Sequence, residues 1–384
     1  MTRFHPTTLP YCAFTAPDLD GPHVGVGIGE DLIDLTTQAT EIIPAHAALF
    51  HAGTLDAFLA AGPAAWRAVR ETLLECATEA PTRPATDVDL LLPFTVADYV
   101  DFYASRNHAT NVGRIFRPDG DPLTPNWDHL PIGYHGRAGT VVVSGTPVRR
   151  PSGQTRGADG EIGFGPSARL DIEAEIGFVV GVGSTLGEPV RTEDFEQHVF
   201  GVCVVNDWSA RDIQAWEYVP LGPFLGKSFA TSVSPWIVPW AALAETRVAP
   251  PAPHVELKDY LQPVGDGLDL ELTVTVNDTV VSRPPYSTMA WTPAQMLAHL
   301  TVNGASLRTG DLFASGTVSG DRRDHVGSLL ELTLNGTEPV ALADGSTRGF
   351  LQDGDRVTIA AAARTPDGSI PLGEVVGVIE GRGE

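Results

Sequence analysis

Hydrophobic and polar residues alternate along much of the chain, and the alternating runs are short. In residues 171–178 the even positions are apolar, while positions 171, 173 and 175 are acidic. Such alternation predicts a half-buried strand, because successive side chains on a strand point to opposite faces. Short β-branched runs recur at residues 140–143, 175–180, 199–205, 270–276, 329–334 and 356–361. Their spacing predicts a mainly β chain whose large part is a mixed β-roll with few helices.

A small separate β unit is predicted at the N-terminus. Residues 24–28 and 32–35 are strand-like and flank the turn-prone Gly29, which indicates a hairpin. A helix is predicted around Pro63, because proline suits a first helical turn and apolar residues follow at helical spacing. Residues 80–86 contain two prolines and indicate a linker. The expected domains are therefore residues 1–90 and residues 91–384.

Two helices are expected to interrupt the strands of the large domain. A threonine-proline-x-glutamine start at Thr292 predicts the clearer one. A weaker signal at Ser209, with an acidic residue three positions later, predicts the start of the other. On that helix Arg211, Gln214 and Tyr218 follow i, i+3, i+7 spacing, so we expect them to share one side.

Composition narrows the classes of function. The chain has 384 residues, with 25 Lys and Arg against 48 Asp and Glu, for a formal net charge of −23. This surface argues against binding nucleic acid or acidic membranes. The N-terminus lacks a signal-peptide core and no apolar run reaches about 18 residues, so we expect a soluble cytoplasmic protein. Cys12, Cys76 and Cys203 are odd in number and lack CxxC spacing, which suggests neither a disulfide framework nor a zinc site.

Four acidic residues have local settings that suit cation ligands, namely Asp101, Glu173, Glu175 and Asp207. On a strand, Glu173 and Glu175 would point the same way at a separation of roughly 6.5–7 Å. Two such carboxylates repel unless a cation lies between them. An all-oxygen ligand set favours Mg²⁺ or Ca²⁺ over zinc or copper. The alternative is that the glutamates form the solvent-exposed face of an edge strand.

Basic and polar residues near these acids could carry out the chemistry. His108 suits activation of water near neutral pH, although the sequence alone does not identify the carboxylate that would orient it. Lys227 lies in an apolar run, where an unpaired buried ammonium is costly. Arg117 and Tyr134 could bind a substrate carboxylate. For each of these residues the alternative is a structural or solvated position.

The small residues of the run 315–320 suit either an anion cradle or an ordinary turn. A hard cation with a histidine, an arginine, a glutamine and a lysine nearby suits the stabilisation of an enolate or another oxyanion during attack by water. These residues by themselves do not name the substrate.

Long motifs of the chain resemble those of the fumarylacetoacetate hydrolase family. They occupy residues 101–113 (DFYASRNHATNVG), 125–127, 130–137, 206–214 and 216–228. The resemblance extends from about residue 9 to residue 355. It implies an SH3-like N-terminal domain, a β-roll catalytic domain and a homodimer. The implied activity is hydrolysis of a carbon–carbon bond in a small diketo acid, 4-fumarylacetoacetate, at the last step of tyrosine and phenylalanine breakdown.

The resemblance also implies roles for individual residues. It makes the Ca²⁺ or Mg²⁺ ligands Asp101, Glu173, Glu175 and Asp207. His108 becomes the base, with Glu331 as its orienting carboxylate. The oxyanion-stabilising residues are Arg211, Gln214 and Lys227. The substrate-binding residues are Tyr103, Arg117, Tyr134, Gln214, Tyr218 and Thr317. Lys227 and Thr231 would line a second, structural cation site.

Two other functions remain open at this stage. An isomerase or decarboxylase could use the same metal scaffold without a water-activating base, so His108 would then be dispensable. A catalytically silent cation-binding protein that acts as a dimeric scaffold is the alternative from another class.

Overall fold

A computed structural model describes residues 3–365 and 368–381 of the chain. Residues 1–2 and 382–384, at the outer ends of the two expected domains, lie outside the described residues, as do residues 366–367. The N-terminal sheet consists of β1 (Tyr11–Thr15), β2 (His23–Ile28), β3 (Asp31–Asp34), β4 (Arg83–Pro84) and β5 (Asp89–Leu91). The strands follow the order β4-β3-β2-β1-β5 and are antiparallel. The predicted hairpin is β2 with β3.

The helices of the N-terminal part are α1 (Leu35–Ile42), α2 (Asp56–Ala60) and α3 (Gly62–Cys76). Helix α3 confirms the helix predicted around Pro63, which lies in its first turn. The prediction of a linker over residues 80–86 is wrong, because Arg83 pairs with Leu32 and adds β4 to the sheet edge. The Arg83 guanidinium also binds Asp18 at 2.9 Å, which ties the segment to the domain.

The described residues of the larger part of the chain contain most of the strands and five α-helices. Its strands are β6 (Tyr99–Phe102), β7 (Gly133–His135), β8 (Val141–Val143), β9 (Val148–Arg149), β10 (Ser152–Arg156), β11 (Ile162–Pro166), β12 (Leu170–Asp171), β13 (Ala174–Val180), β14 (Val199–Asp207), β15 (Ser209–Ala210), β16 (Thr231–Val233), β17 (Val238–Pro239), β18 (Arg247–Val248), β19 (Gly267–Leu268), β20 (Leu270–Val276), β21 (Thr279–Ser282), β22 (Leu312–Ala314), β23 (Val340–Ala341), β24 (Thr347–Arg348), β25 (Arg356–Thr365) and β26 (Gly368–Glu380). Its helices are α4 (Arg106–Phe116), α5 (Phe195–His198), α6 (Arg211–Glu217), α7 (Pro293–Thr301) and α8 (Leu329–Leu332).

Two sheets organise this larger part. The central sheet follows the order β7-β6-β22-β13-β14-β16-β8, with β17 also paired to β14. It is mixed, because β6 runs parallel to β22 and β8 runs parallel to β16. The second sheet follows the order β21-β20-β25-β26-β9. A small N-terminal β domain and a large mixed-sheet domain confirm the predicted fold class, while the division at residue 90 stays a prediction.

The strand predictions fail at two places. The alternating run 171–178 is interrupted between β12 and β13, and β13 is buried on both faces rather than half-buried. Residues 329–334 were expected to form a strand, but residues 329–332 form helix α8. The hydroxyl of Ser328 accepts a hydrogen bond from the amide of Glu331 and so caps this short helix. The apolar side chains Leu329 and Leu330 are buried on the helix, and a run of four residues does not distinguish a buried helical turn from a strand by its apolar content.

The two predicted helix starts have different outcomes. Thr292 confirms the clearer one, because both hydrogen bonds of its capping box with Gln295 are present at the start of α7. The other helix, α6, starts at Arg211 rather than Ser209. Ser209 belongs to strand β15, and its hydroxyl donates to the backbone carbonyl of Asp207.

An aromatic cluster joins the N-terminal part to the central sheet. The ring of Tyr11 in β1 lies 5.1 Å from that of Phe58 and 5.5 Å from that of Phe200 in β14. Trp66 of α3 packs on Phe200 from the other side at 5.3 Å. Burial of these large apolar surfaces fixes the N-terminal part against the sheet that carries the site. Within the described ranges, no helix has the length and apolarity needed to cross a membrane.

Candidate active site

The four predicted metal ligands come together on the central sheet. Asp101 lies in β6, Glu175 in β13 and Asp207 at the end of β14, while Glu173 lies just before β13. One carboxylate oxygen from each lies within 4.8 Å of the others. The alternative of a solvent-exposed acidic face is wrong, because Glu173 is 6% and Glu175 0% exposed. This face of the strand is buried within the protein, and Arg211 and Lys227 contact Glu173 there.

The oxygens of this cluster fit a bound cation. Both carboxylate oxygens of Glu175 and one of Asp101 are buried without a hydrogen-bond partner among the described residues. Burial, reinforced by the charges of Asp101 and Asp207, raises the pKa of Glu175 well above its ordinary value. Burial and the charge of Asp207 raise the pKa of Asp101 to about 7. Unpartnered buried carboxylates are costly unless a cation neutralises them, and an all-oxygen set suits a hard metal ion. This buried cluster could therefore hold a metal ion.

Two of the predicted basic side chains, Lys227 and Arg211, contact the carboxylate cluster. The Lys227 ammonium donates to Glu173 and, at 2.7 Å, to Asp207. Arg211 donates through Nη1 to Glu173 at 2.7 Å. Burial disfavours the charge on Glu173, but Lys227 and Arg211 outweigh it and hold the pKa of Glu173 below its ordinary value. Thr231 donates to Asp207 at 2.8 Å. The second, structural cation site at Lys227 and Thr231 stays a prediction.

Arg137 is a third cation at the cluster, and sequence reasoning assigned it no role. Its Nη2 lies 2.6 Å from both carboxylate oxygens of Asp207. Its guanidinium also lies over the rings of Tyr99 and Tyr134, at 5.1 and 5.4 Å from their centroids. Burial opposes ionisation of Asp207, but Arg137 and Lys227 lower its pKa. Arg137 lies three residues after Tyr134, in the motif of residues 130–137. This closeness to a predicted site residue was the sequence signal that could have identified Arg137.

A cavity of about 320 Å³ opens beside the cluster. Eleven of the predicted site residues line it, namely Asp101, Tyr103, His108, Arg117, Tyr134, Glu173, Arg211, Gln214, Tyr218, Lys227 and Thr317. The other four lie behind its wall, namely Glu175, Asp207, Thr231 and Glu331. Apolar side chains also line the cavity, including Val112, Phe116, Leu123 and Ile132. The cavity is therefore bordered by both charged and apolar groups.

His108 and Glu331 form a buried pair at this cavity, although 223 residues separate them in the sequence. His108 is held at the start of α4, where its amide donates to the hydroxyl of the N-cap residue Ser105. Its Nδ1 lies 2.7 Å from an oxygen of Glu331. Burial opposes the charge on Glu331, but His108 and several hydrogen bonds keep the pKa of Glu331 below its ordinary value. Because Nδ1 is engaged, Nε2 is the nitrogen left for the cavity.

Glu331 has three further donors that sequence reasoning did not assign. Asn111, one helical turn after His108, donates to one carboxylate oxygen at 2.9 Å. Ser319 and Ser328 donate to the other oxygen at 3.0 and 2.8 Å. The four contacts hold the carboxylate in one orientation toward the imidazole.

Several donors at the cavity have no partner within the described protein. They are Nη2 of Arg211, Nε of Arg117 and the hydroxyl of Thr317, all buried. Because buried donors are costly when unpaired, these atoms are available to a bound ligand. Arg117 is anchored at its other end, where Nη2 donates to the carbonyl of Pro122 at 2.6 Å.

The remaining predicted contacts surround these donors. The hydroxyl of Tyr134 donates to Asp101 at 2.6 Å. The ring of Tyr103 packs edge-on against His108 at 5.4 Å. Gln214 accepts from Arg211, and the partly exposed Tyr218 lies one turn further along. Arg211, Gln214 and Tyr218 thus face one cavity, as their spacing predicted, while their roles toward substrate stay predictions.

Comparison with known proteins gives two family matches that together span nearly the whole chain. Residues 7–96 match the model described as fumarylacetoacetase N-terminal. Residues 98–379 match that described as fumarylacetoacetate (FAA) hydrolase C-terminal. Fumarylacetoacetase of Homo sapiens is 42% identical over 398 residues, covering 97% of this chain and 94% of that protein. Fumarylacetoacetase of Oryza sativa subsp. japonica is 40% identical over 416 residues, covering 98% and 95%.

Solved structures share the fold at low sequence identity. Fumarylacetoacetate hydrolase from psychrophilic Exiguobacterium antarcticum aligns with a TM-score of 0.59 and 17% identity, covering 97% of this chain and 100% of that chain. Maleylpyruvate hydrolase from Sphingobium sp. SYK-6 aligns with a TM-score of 0.56 and 17% identity, covering 97% and 99%. The family matches and the relatives that are at least 40% identical carry more specific information. From these, the chain belongs to the fumarylacetoacetate hydrolase family.

Proposed function

We propose that this chain is a hydrolase that cleaves a carbon–carbon bond of 4-fumarylacetoacetate to give fumarate and acetoacetate. The observation that carries the proposal is one cavity bordered by both the His108–Glu331 pair and the carboxylate cluster. The 42% identity to human fumarylacetoacetase, over 97% of this chain, supports the same substrate. The scissile bond breaks because the departing carbanion of a β-diketone is delocalised as an enolate.

A hard cation, Ca²⁺ or Mg²⁺, is proposed at the carboxylate cluster. The ligands would be Asp101, Glu173, Glu175 and Asp207, whose unpartnered oxygens support this assignment. When bound, such an ion supplies Lewis-acid stabilisation of negative charge on diketone oxygens. The ion pairs from Lys227 and Arg137 hold Glu173 and Asp207 in place at the cluster.

His108 is proposed as the general base. Its Nε2 takes a proton from a water molecule, and the water oxygen attacks the carbonyl carbon on the fumaryl side. The tetrahedral adduct then breaks its carbon–carbon bond to give fumarate, and the acetoacetate enolate that leaves takes up the proton from His108. Glu331 accepts the Nδ1 hydrogen bond at 2.7 Å, which fixes the tautomer and stabilises the imidazolium that forms. The edge-on ring of Tyr103 limits rotation of the imidazole. The base therefore stays aimed into the cavity.

Negative charge that develops on substrate oxygens would meet cationic and amide donors. Arg211 offers Nη2, which has no partner within the described protein. Lys227 and Gln214 line the same wall. Donors that are already in position need no reorganisation when the charge forms, and such donors contribute strongly in a site shielded from water.

The other end of the substrate is proposed to bind at Arg117 and Thr317. Both carry a buried donor without a partner, at Nε of Arg117 and at the hydroxyl of Thr317. A guanidinium suits a carboxylate, which 4-fumarylacetoacetate carries at each end. Tyr103, Tyr134 and Tyr218 complete the proposed contacts on the cavity wall.

The assay follows the ultraviolet absorbance of 4-fumarylacetoacetate with purified protein in Ca²⁺ or Mg²⁺, together with release of fumarate and acetoacetate. Both products in equal amounts would support the proposal. An isomerised or decarboxylated product would contradict it, as would the unchanged substrate expected of a silent scaffold. Neither alternative is favoured, because the relatives at 40–42% identity are named fumarylacetoacetase. His108→Gln is the informative variant, since an isomerase or decarboxylase would tolerate it.

A homodimer is proposed from exposed apolar side chains near the cavity mouth. Leu221 and Phe224, in the loop after α6, are 96% and 67% exposed, and Phe164 of β11 is 77% exposed. Trp216 of α6 donates to Gln154 of β10 at 3.3 Å, so the end of α6, from which this loop continues, lies beside the β10–β11 hairpin. An exposed apolar patch of this kind commonly marks an interface. Sedimentation should give a dimer for the wild type and a monomer for Leu221→Asp.

The proposal places this reaction at the last step of tyrosine and phenylalanine breakdown, in the cytoplasm. Its support is the resemblance to fumarylacetoacetases along the chain. Cells that lack the protein should accumulate 4-fumarylacetoacetate when fed tyrosine, and fractionation should recover the activity with the cytoplasm.

A further inference from the structure

Asp171 is a fully buried carboxylate that belongs neither to the metal cluster nor to the His108–Glu331 pair. It lies at the end of β12 and accepts four hydrogen bonds from three segments of the chain. One comes from the neighbouring amide of Ile172 at 2.7 Å. The other three reach residues on both sides of the proposed reaction centre.

The first connection leads to the oxyanion side. Nε of Arg211 donates to Oδ2 of Asp171 at 2.8 Å. Its Nη1 donates to Glu173, which leaves Nη2 as the nitrogen without a partner. A guanidinium is planar, so fixing Nε and Nη1 also fixes the direction in which Nη2 points. Asp171 therefore sets the aim of the donor proposed to meet the developing charge.

The second connection leads to the base side. The amides of Leu329 and Leu330 donate to Asp171 at 2.7 and 3.0 Å. These are the first two residues of α8, whose amides have no partner within the helix. Glu331 is the next residue, and it holds His108 at 2.7 Å. The start of α8, and with it the Glu331 carboxylate, is thus fixed to the same carboxylate that holds Arg211.

We propose that Asp171 is a positioning residue that keeps Arg211 and the His108–Glu331 pair in register across the cavity. This inference rests on the proposed hydrolysis, in which the base activates water while Arg211 receives charge on the substrate. The attacking water is held by His108, and the oxyanion that its attack produces is stabilised by Arg211. A shift of either residue would change the distance between the water and the Arg211 donor. Asp171 acts through those groups and does not line the cavity.

A carboxylate is needed here because four donors converge on two acceptor oxygens. In Asp171→Asn one oxygen becomes an NH₂ group, which faces either the amides of Ile172 and Leu329 or the guanidinium of Arg211 and the amide of Leu330. Either orientation opposes two donors and removes one of the two hydrogen bonds to the start of α8, and the second also removes the hydrogen bond from Arg211. The substitution preserves shape and volume, so the surrounding core can remain packed.

The experiment measures kcat and KM for 4-fumarylacetoacetate with Asp171→Asn in the full-length protein. We expect kcat to fall by roughly 10²-fold, as for a displacement of about 1 Å in a catalytic group. KM should change little, because Arg117 and Thr317 are untouched. Asp212→Asn is the matched control: Asp212 follows Arg211 on α6 and accepts from Ser167, Ala168 and Ile213, but it does not line the cavity. Its kcat should stay near the wild-type value.

Double-mutant cycles test whether both connections matter. The loss in Asp171→Asn combined with Arg211→Gln should be much smaller than the product of the single losses, and the same should hold with Glu331→Gln. Multiplicative losses with both partners would overturn the inference. A general loss of packing would lower the melting temperature without producing these two couplings, so thermal denaturation is recorded for each variant.

Two results separate this inference from the proposed function. An inactive wild type would defeat the proposed function, whereas an active wild type with unchanged kcat in Asp171→Asn would defeat only the role of Asp171. If Asp171→Asn does not fold, Asp171→Glu keeps the charge and both oxygens but lengthens the side chain by one methylene. Lowered kcat in folded Asp171→Glu would support the inference, and wild-type kcat would overturn it.

Discussion

The hydrogen bond between His108 and Glu331 makes a quantitative prediction. Glu331→Gln keeps the shape of the side chain but removes the negative charge that lies 2.7 Å from Nδ1 of the imidazole. The imidazolium that forms after proton transfer then loses its counter-charge. Asn111, Ser319 and Ser328 all donate to the carboxylate, so the new NH₂ group also faces donors. We therefore expect a lower kcat, because the transition state carries more positive charge on His108 than the ground state does.

The size of the loss follows from the charge that is removed. Two unit charges about 4 Å apart attract by about 4 kcal/mol at an effective dielectric constant of about 20. A tenfold change corresponds to about 1.4 kcal/mol, so loss of the full attraction would lower kcat by about 10³. The transition state carries only part of the charge, and the expected loss is about 10²–10³. His108→Gln removes the base itself and should cost roughly 10²–10⁴.

The assay is steady-state hydrolysis of 4-fumarylacetoacetate by the two single variants and the double variant. The double variant should lose much less than the product of the single losses, because both residues act through one proton transfer. His299→Gln is the matched control, since His299 lies on α7 against Tyr260 and does not line the cavity. All variants should fold and should bind Ca²⁺ as the wild type does. Fully multiplicative losses would refute the paired role of His108 and Glu331.

Four further predictions concern the metal cluster, pH and stability. Replacing any of the four cluster carboxylates by Ala should weaken Ca²⁺ or Mg²⁺ binding in calorimetry and lower turnover. Protein treated with a chelator should regain activity with either ion. Full activity without metal would contradict this prediction. The folded-state pKa of Glu331 is lowered, so its charge stabilises the fold above the unfolded value of about 4.3 and this contribution is lost on acidification. Urea unfolding should therefore show the difference between wild type and Glu331→Gln shrinking as the pH falls from about 6 to about 3. Thr292→Ala should cost about 1–2 kcal/mol of unfolding free energy through loss of the capping box, with unchanged kcat. Arg137→Met should destabilise chelated protein by about 3–5 kcal/mol, because Asp207 loses a buried partner, and the loss in melting temperature should be smaller in Ca²⁺.

The elements that could be predicted from sequence are those specified by local signals. The helix at Thr292 carries its own start signal, because the side chains of its capping box satisfy backbone amides within four residues. Pro63 likewise marks the first turn of α3. Both signals work wherever the helix packs, so no knowledge of the tertiary structure is required to recognise them.

The predictions that failed depend on distant parts of the chain. The alternation in residues 171–178 correctly gives Glu173 and Glu175 an environment distinct from that of the apolar positions. It does not predict which groups cover the acidic side chains. Lys227 covers Glu173 from 54 residues away and Arg211 does so from 38 residues away. The supposed linker around Arg83 is a strand because β3, far earlier in the chain, offers it a free edge.

In the candidate site, too, some features follow from local spacing and others depend on residues that are distant in the sequence. The polar side of α6 follows from helical spacing alone, and Arg211, Gln214 and Tyr218 do face one cavity. The partnership of His108 with Glu331 spans 223 residues and was expected only from the family resemblance. For Asp171 the alternation predicted only a polar position on a strand. Its four donors come from separate segments of the chain, and no local pattern brings those segments together.

The charges around the cluster give an independent reason to expect a divalent ion. Five buried carboxylates, Asp101, Asp171, Glu173, Glu175 and Asp207, face three cationic side chains, Arg137, Arg211 and Lys227. When every acid is ionised, two negative charges remain, and an uncompensated buried charge is costly. Ca²⁺ or Mg²⁺ balances both, while a monovalent ion balances only one. The oxygens of Glu175 and Asp101 that have no partner among the described residues carry the negative charge that these side chains leave uncompensated.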